Sequence, residues 1–572
     1  MSDTQGTIRS AQPDAITGIE AMRGHGVRPA KGFWAEAWLQ VIKRPAAVAG
    51  LSWVAIVAFL AVFAPLIASG QPLLMWELDD AGNRTSMSSP LLLSLSSADW
   101  LLIIFTLLGL AVVAAPSKIK RSTRLWWGIG AGVQATVMLV TSKAIDAAAA
   151  ARDASTWLRE LRLGVNNSLT DTLGIEFVWL LAVVVCGVVS LAWLLIPTTR
   201  GLTGRAIISG FTGIVTCLVI GLSLNNAPPT FEYAERERNG EIEAIFTVVP
   251  WSPSERLGDR NTRNLAPGTT SGQALARSVT VAAPVTGPIG EQGLTDVRTA
   301  LQNLPLPEEA LAHLVATFDA SAVSSPATTK NEVGTFVEDE LQRIGRTYMV
   351  GTDSLGQDVL SQLLHASRLS VSIGLVSSGI AVVIGVTLGA LMGYFGGKVD
   401  LVLFRVVEIF MAIPVLFLLI VAAGVLPRNT YVMMAILGCF TWHPAARFTR
   451  AEFYRLRNQD FVQSARAVGL PLHSILFKHM LPNGVTPVLV DASFRIALAI
   501  LFETIISYLG LGPEDQPSWG RLLADATGET GEFLWWLAIF PGFAIFLTVL
   551  AYNLIGEALR DAIDPKLKKA RV

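Results

Sequence analysis

Ten apolar windows dominate this chain and constrain its fold more than any other feature. They lie at about residues 46–67, 99–115, 125–146, 176–196, 206–224, 370–395, 402–424, 431–447, 487–509 and 534–556. A run of about 20 apolar residues is long enough to cross a bilayer as a helix, and a lipid-exposed backbone must satisfy its own hydrogen bonds. The pattern therefore predicts an all-α polytopic membrane protein. Composition agrees: 52% of the residues are hydrophobic and 16% charged, against about 25% charged in soluble domains. The net charge of −1 gives no electrostatic case for nucleic acid. Cys186, Cys217 and Cys439 all fall inside apolar segments and suggest neither a disulfide framework nor a zinc site.

Charge in the connecting loops orients the spans. Lys43-Arg44 precede the first span, and Lys118, Lys120, Arg121 and Arg124 follow the second without an acid. Arg200 and Arg205 fill another short loop. The loop 448–486 carries Arg450, Arg455, Arg457, Arg466 and Lys478 against Glu452 and Asp460. Basic loops belong to the cytoplasmic side. Both termini are then cytoplasmic, and 70–98, 225–365 and the acidic 510–533 lie outside. The resulting division is a cytoplasmic tail 1–44, a first span 45–69, an insertion 70–224 with four extra spans, an extracytoplasmic region 225–365, a core 366–560 and a tail 561–572. Residues 225–365 are rich in Pro, Gly, Ser and Thr to about 290, then helix-like near 291–303 and 307–319.

One polar stretch stands out between spans, from Gln459 to Asn483. Val462, Ala465, Val468 and Gly469 share a face at helical spacing, while Gln463 and Arg466 point elsewhere. Gly469 and Pro471 end that helix. A second short helix runs from Ser474 to about His479, closed by Pro482. Two short helices on the cytoplasmic side make a protrusion that a soluble partner can grip.

This stretch resembles the EAA loop of ABC-importer permeases, E-A-A-x3-G-x9-I-x-L-P. Gln463, Ser464, Ala465, Gly469, Leu481 and Pro482 take the matching positions; Gln463 stands for Glu, Ser464 for Ala and His479 for Ile. Further segments resemble the oligopeptide/dipeptide branch, in particular its C-type subunit. Gly351 to Leu360 (GTDSLGQDVL) is similar to that family's GTDxxGRDxL, with Gln357 for Arg. Arg405 to Pro414 resembles the start of its third core span. Leu509 to Gly512 with Pro517 to Gly520 resembles its external turn, and Gly556 to Pro565 its C-terminal ending. The resemblance covers about 45–70 and 345–570.

The resemblance implies a MetI-like core of six transmembrane helices in a bacterial inner membrane, to which this chain adds about four inserted helices. It also implies a second homologous permease subunit, two ABC ATPase subunits, an extracytoplasmic substrate-binding protein and a peptide or peptide-like cargo. Residues 463–483 would couple to the ATPases. No cofactor, metal or catalytic residue is implied. Gly393 to Val399 is a failed P-loop: its first Gly is misplaced and Val399 has no hydroxyl for Mg²⁺.

Charges within spans are functional candidates. Glu503 either lines a pathway or bonds between helices, with the balance toward packing. Asp491 and Arg495 are expected to pair at i,i+4, and Glu408 to pair with Arg405. Pro414 marks a break in the third core span, as hinge or static kink. His443 has no second ligand nearby. A membrane scaffold or sensor on a permease-like core, with 225–365 as receptor, is the rival function.

Overall fold

A computed structural model describes residues 33–79, 83–114, 121–150, 177–195, 202–222, 242–255 and 263–270, most of 288–350, and 351–563 apart from 515 and 528–532. The expected tails before 33 and after 563, and most of the loop 148–175, lie outside the described residues.

An amphipathic helix α1 (Phe33–Ile42) leads into α2 (Pro45–Ile67), the first span. Pro45 suits the first turn of α2, where its missing N–H costs nothing. Ala37 and Val41 of α1 pack against Ala558 and Ala562 near the end of the chain, so the two terminal helices meet. The inserted helices α3 (Ser97–Ala114), α4 (Arg121–Ala150), α5 (Phe177–Leu195) and α6 (Leu202–Leu222) pack on one another. Met138, Ala182, Cys186 and Ile220 form the common core of α4, α5 and α6.

The segments on either side of the insertion are not purely helical. β1 (Leu74–Leu78) pairs antiparallel with β2 (Arg84–Ser88) and with β3 (Ile242–Ile245). This three-stranded sheet joins the start of the insertion to the chain that leaves it. A second, two-stranded ladder joins Thr269–Thr270 to Thr347–Tyr348. Between them α7 (Gly290–Gln302), α8 (Glu308–Ala320) and α9 (Lys330–Gln342) close on a small core of their own around Val297, Leu301, Phe318 and Val337. The segments near 291–303 and 307–319 thus fold as helices, and a third follows.

The core begins with α10 (Val359–Phe395), 37 residues long and about 55 Å from end to end. It runs beside α13 (Thr430–Phe440) and α14 (His443–Leu456). Gly385, Gly389 and Gly393 make this close approach possible. A Cβ on Gly389 would sit 2.5 Å from the Ala446 carbonyl oxygen, and one on Gly393 2.6 Å from that of Arg450. Small residues spaced by four let helix backbones touch in membranes, where packing replaces the hydrophobic drive.

The third core span is broken where Pro414 marks it: α11 (Gly397–Ala412) and α12 (Val415–Val425) meet at 83°, with Pro414 as the N-cap of α12. Two other details differ from the expected spans. The window 431–447 is not one helix but α13 and the start of α14, divided at Thr441-Trp442 just before Pro444. The fifth core helix, α16 (Thr486–Tyr508), meets the preceding segment 474–484 at 72°. α17 (Trp535–Ile563) completes the core. Among the described residues, α2, α10 and α17 are each long and apolar enough to cross a membrane, and the two bent pairs bring the number to five. The inserted windows are helical too.

Candidate functional site

The stretch from Gln459 to Asn483 is built as a rigid knob at one end of α10. Its first helix is α15 (Asp460–Ala467). Gly469 adopts φ +77°, a conformation that costs a side chain about 1–2 kcal/mol. Its N–H donates to Arg466 O at 2.9 Å, and that of Leu470 to Ala465 O at 3.2 Å. This paired closure satisfies the last carbonyls of α15 and turns the chain sharply. A π-helical turn, Ser474–Met480, follows.

Val462, Ala465, Ile475, Leu476 and Met480 are buried against Ala390, Phe453 and Leu456, so the knob is cored against α10 and α14. Arg466 fastens it from the side: Nε donates to the Tyr394 hydroxyl at 3.2 Å, and the guanidinium lies 4.5 Å from the Tyr394 ring centre. α14 is held in turn by Asp400, whose Oδ1 and Oδ2 accept from Arg450 Nε and Nη2 at 2.5 and 2.7 Å. A bidentate guanidinium–carboxylate pair fixes orientation as well as distance. Movement of α10 and α14 must therefore carry the knob with it.

The expected site residues divide between inner and outer faces. Ala465 is buried and Leu481 packs at the edge of the cluster. Gln463, Ser464, Gly469 and Pro482 are exposed, and His479 is half-buried. Gln463 Nε2 donates to the Arg457 carbonyl at 3.2 Å, closing the end of α14. Two expectations need correcting. Val468 does not share the buried face but is 79% exposed, because α15 ends at Ala467 and the turn swings Val468 outward. Pro482 does not close the second helix: it sits in the first turn of Leu481–Gly484, which continues toward α16. Phe461, Leu472 and Phe477 are exposed with Val468, so the knob carries four exposed apolar side chains.

Glu503 is fully buried between α16 and α10. Its Oε1 accepts from Ser507 Oγ at 2.7 Å and Oε2 from Ser370 Oγ at 3.4 Å. These bonds make Glu503 an interhelical contact between α16 and α10. Asp491 and Arg495 pair, and Arg495 also donates to the Thr441 carbonyl at the break between α13 and α14. Arg405 and Glu408 pair at 2.5 Å on the surface.

At the opposite end of α10, Asp353 organises the Gly351–Leu360 loop. Its Oδ1 accepts from the N–H groups of Leu355 and Gln357, each at 2.8 Å, and its Oδ2 from Gln362 Nε2 at 2.7 Å. Asp358 caps α10 by accepting from Ser361 N at 2.7 Å. Burial, with the neighbouring Asp353 and Glu255 charges, pushes the Asp358 carboxyl up to about 7.

Sequence reading missed Arg368. Pro65 has no N–H, so Ala61 O in α2 lacks its helical donor; Arg368 Nε supplies one at 3.1 Å. The same guanidinium pairs with Asp99 at the start of α3. One residue of α10 thus ties the first span and the insertion together. The signals were an arginine within an apolar window and a proline inside a helix, far apart in the chain.

Two family descriptions match this chain. "Binding-protein-dependent transport system inner membrane component" matches residues 385–569, and "N-terminal TM domain of oligopeptide transport permease C" matches residues 32–84. The chain is similar to the oligopeptide transport system permease protein OppC of Haemophilus influenzae, 38% identical over 220 residues, 38% of this chain and 70% of that one. It is 32% identical over 260 residues to the dipeptide transport system permease protein DppC of Alkalihalophilus pseudofirmus, covering 45% and 84%. It is 38% identical over 227 residues to the di/tripeptide transport system permease protein DppC of Pseudomonas aeruginosa, covering 39% and 74%.

Proposed function

The chain belongs to the family of binding-protein-dependent transport system inner-membrane permeases, and from that premise we propose that it forms part of the translocation pathway for peptides or peptide-like solutes and takes its energy from separate ATPase chains. The observation that carries the coupling role is the knob at 459–483, fastened beneath by the cluster around Phe453 and by Arg466, and carrying four exposed apolar side chains. A knob of this kind suits a cleft on a soluble ATPase. ATP-driven closure of two ATPases would pull α14 and α10 through it and shift the permease between inward- and outward-open states.

In this reading the partners are a second homologous permease, two ABC ATPases and an extracytoplasmic substrate-binding protein, with membrane lipid around the helices. Gln463, Ser464, Gly469, His479, Leu481 and Pro482 frame the contact, and Val468 and Phe477 enter it. Pro414 and Glu503 act in helix geometry and packing. Both termini and the knob face the cytoplasm of a bacterial cell. Residues 70–224 add four helices, and 225–365 stand outside.

Uptake tests the function. In proteoliposomes holding the assembled transporter, a labelled tripeptide should accumulate only with this chain, ATP and the binding protein present. Equal accumulation when this chain is omitted from an otherwise assembled complex would favour a scaffold or sensor.

A further inference from the structure

The short helix α1 has three faces. Ala37 and Val41, one turn apart, are buried against Ala47 of α2 and against Ala558, Ala562 and Ile563 near the end of α17. Glu36, Gln40 and, just past the helix, Lys43 share a second, polar face at helical spacing, with Glu36 and Lys43 exposed. The third face carries Trp38, Leu39 and Ile42, which are 52%, 39% and 45% exposed. Apolar side chains gathered on one exposed face mark a surface that meets another apolar phase.

The place of α1 in the fold says what that phase is. Only Lys43 and Arg44 separate it from Pro45, where α2 begins, and α2 is long and apolar enough to cross a membrane. Arg44 is extended, at φ −93° and ψ 119°, so α1 is a separate helix rather than the first turns of the span. The junction is held in place. Arg44 N donates to the Val41 carbonyl at 3.1 Å, and Arg44 Nη1 pairs with Asp561 at 2.6 Å. The buried contacts of α1 reach the first turns of α2, at Ala47 and Leu51, and the last turns of α17, at Ala558 and Ala562. They fix α1 at the level where two spans leave the bilayer. Val48, in the first turn of α2, is exposed as well and extends the apolar surface into the span. Tryptophan is at home at such a boundary, where its ring meets lipid and its N–H meets water.

We propose that α1 lies on the bilayer surface at which α2 begins, with Trp38, Leu39 and Ile42 set into the boundary between headgroups and acyl chains and with Glu36 and Lys43 toward water. The partner is membrane lipid. Amphipathic helices seat in this way, with the apolar face about 5–10 Å into the boundary. Packed on both α2 and α17, a helix so anchored gives the first and last spans a common footing at one membrane surface. The claim needs neither cargo nor ATPases, so its failure would leave the coupling role untouched.

The test places a nitroxide on single cysteines at 36, 38 and 42 of the full chain, in a background of Cys186→Ala, Cys217→Ala and Cys439→Ala, in nanodiscs of phosphatidylcholine with phosphatidylglycerol. Oxygen, which concentrates among acyl chains, should relax the labels of Trp38→Cys and Ile42→Cys more than a water-soluble nickel chelate does, and Glu36→Cys should show the reverse. A second measurement keeps the native cysteines. Amide hydrogen exchange across 33–42 in nanodiscs should quicken about tenfold in the double variant Trp38→Glu, Ile42→Glu, while exchange in α10 stays unchanged. Labels at 38 and 42 that favour the nickel chelate as the label at 36 does, labels at 38 and 42 shielded from both reagents as under a protein partner, or exchange unchanged in the double variant would each overturn the assignment.

Discussion

The core and the inserted bundle are both helical, yet they are held together by different means. In the core, α10 meets α14 backbone to backbone at Gly385, Gly389 and Gly393, and hydroxyls satisfy the buried Glu503. In the insertion, Gly109, Gly128, Gly132, Gly187 and Gly210 have nothing within 4 Å of a would-be Cβ, whereas one on Gly213 would meet Ser190 Oγ at 2.5 Å. There a side-chain amide adds to the apolar cluster around Met138: Gln134 Nε2 donates to Ser209 Oγ at 3.0 Å and to Ser190 Oγ at 3.2 Å. The contrast teaches that close helix-to-helix approach recurs through the core, at α10 against α14 and at Gly50, Gly438 and Gly520, and is sparser in the insertion. A backbone-to-backbone contact resists deformation and transmits displacement, whereas a few hydrogen bonds permit local adjustment.

The largest effect is expected where the two regions join. Arg368→Ala strands the nearly buried Asp99 and the Ala61 carbonyl, and such a loss costs about 3–5 kcal/mol. Thermal unfolding in detergent should show a large drop. Pairing Arg368→Met with Asp99→Leu should recover part of it, since the carboxylate is then no longer left without a partner.

The next comparison sets one glycine against another. Gly389→Ala forces a methyl against Ala446 O and Thr449 Cβ and should cost about 1–3 kcal/mol. Gly132→Ala, into open space, should be neutral or stabilising by about 0.5–1 kcal/mol. Equal effects at both sites would erase the distinction between the regions.

A slope in pH comes third. Asp358 titrates near 7 in the folded protein, well above the ordinary carboxylate value of 3.8. Between those values the folded state keeps a proton that the unfolded state has released, so stability falls as pH rises across that window and levels above it. Asp358→Asn, which retains a capping oxygen, should flatten that part of the unfolding curve. The smallest effect belongs to Gln134→Leu, about 0.6 kcal/mol by the usual worth of a hydrogen bond between membrane helices.

Much of this architecture is legible in the chain because local chemistry dictates it. Apolar windows became helices, Pro414 broke its span, and Asp491 found Arg495 one turn away. Gly469 ended its helix by the left-handed turn that its lack of a side chain favours. What stayed hidden depends on partners distant in sequence. β1 pairs with β3 across the whole length of the insertion. Arg368 matters because Pro65 frees a carbonyl and Asp99 arrives from another helix. The glycine spacing 385, 389, 393 is visible, but nothing local says which helix it admits. α9 was missed because its buried face is narrow, Val333 and Val337 among many charges.

Co-purification of an ATPase tests the central claim most directly. The tagged chain is isolated in mild detergent beside Val468→Asp and Phe477→Asp, two exposed positions whose change should leave the fold intact. The account predicts that an ABC ATPase and a second permease accompany the wild type, and that both variants retain the permease and lose the ATPase. An ATPase retained equally by all three, or absent from wild type that still holds its partner permease, would contradict the role assigned to the knob.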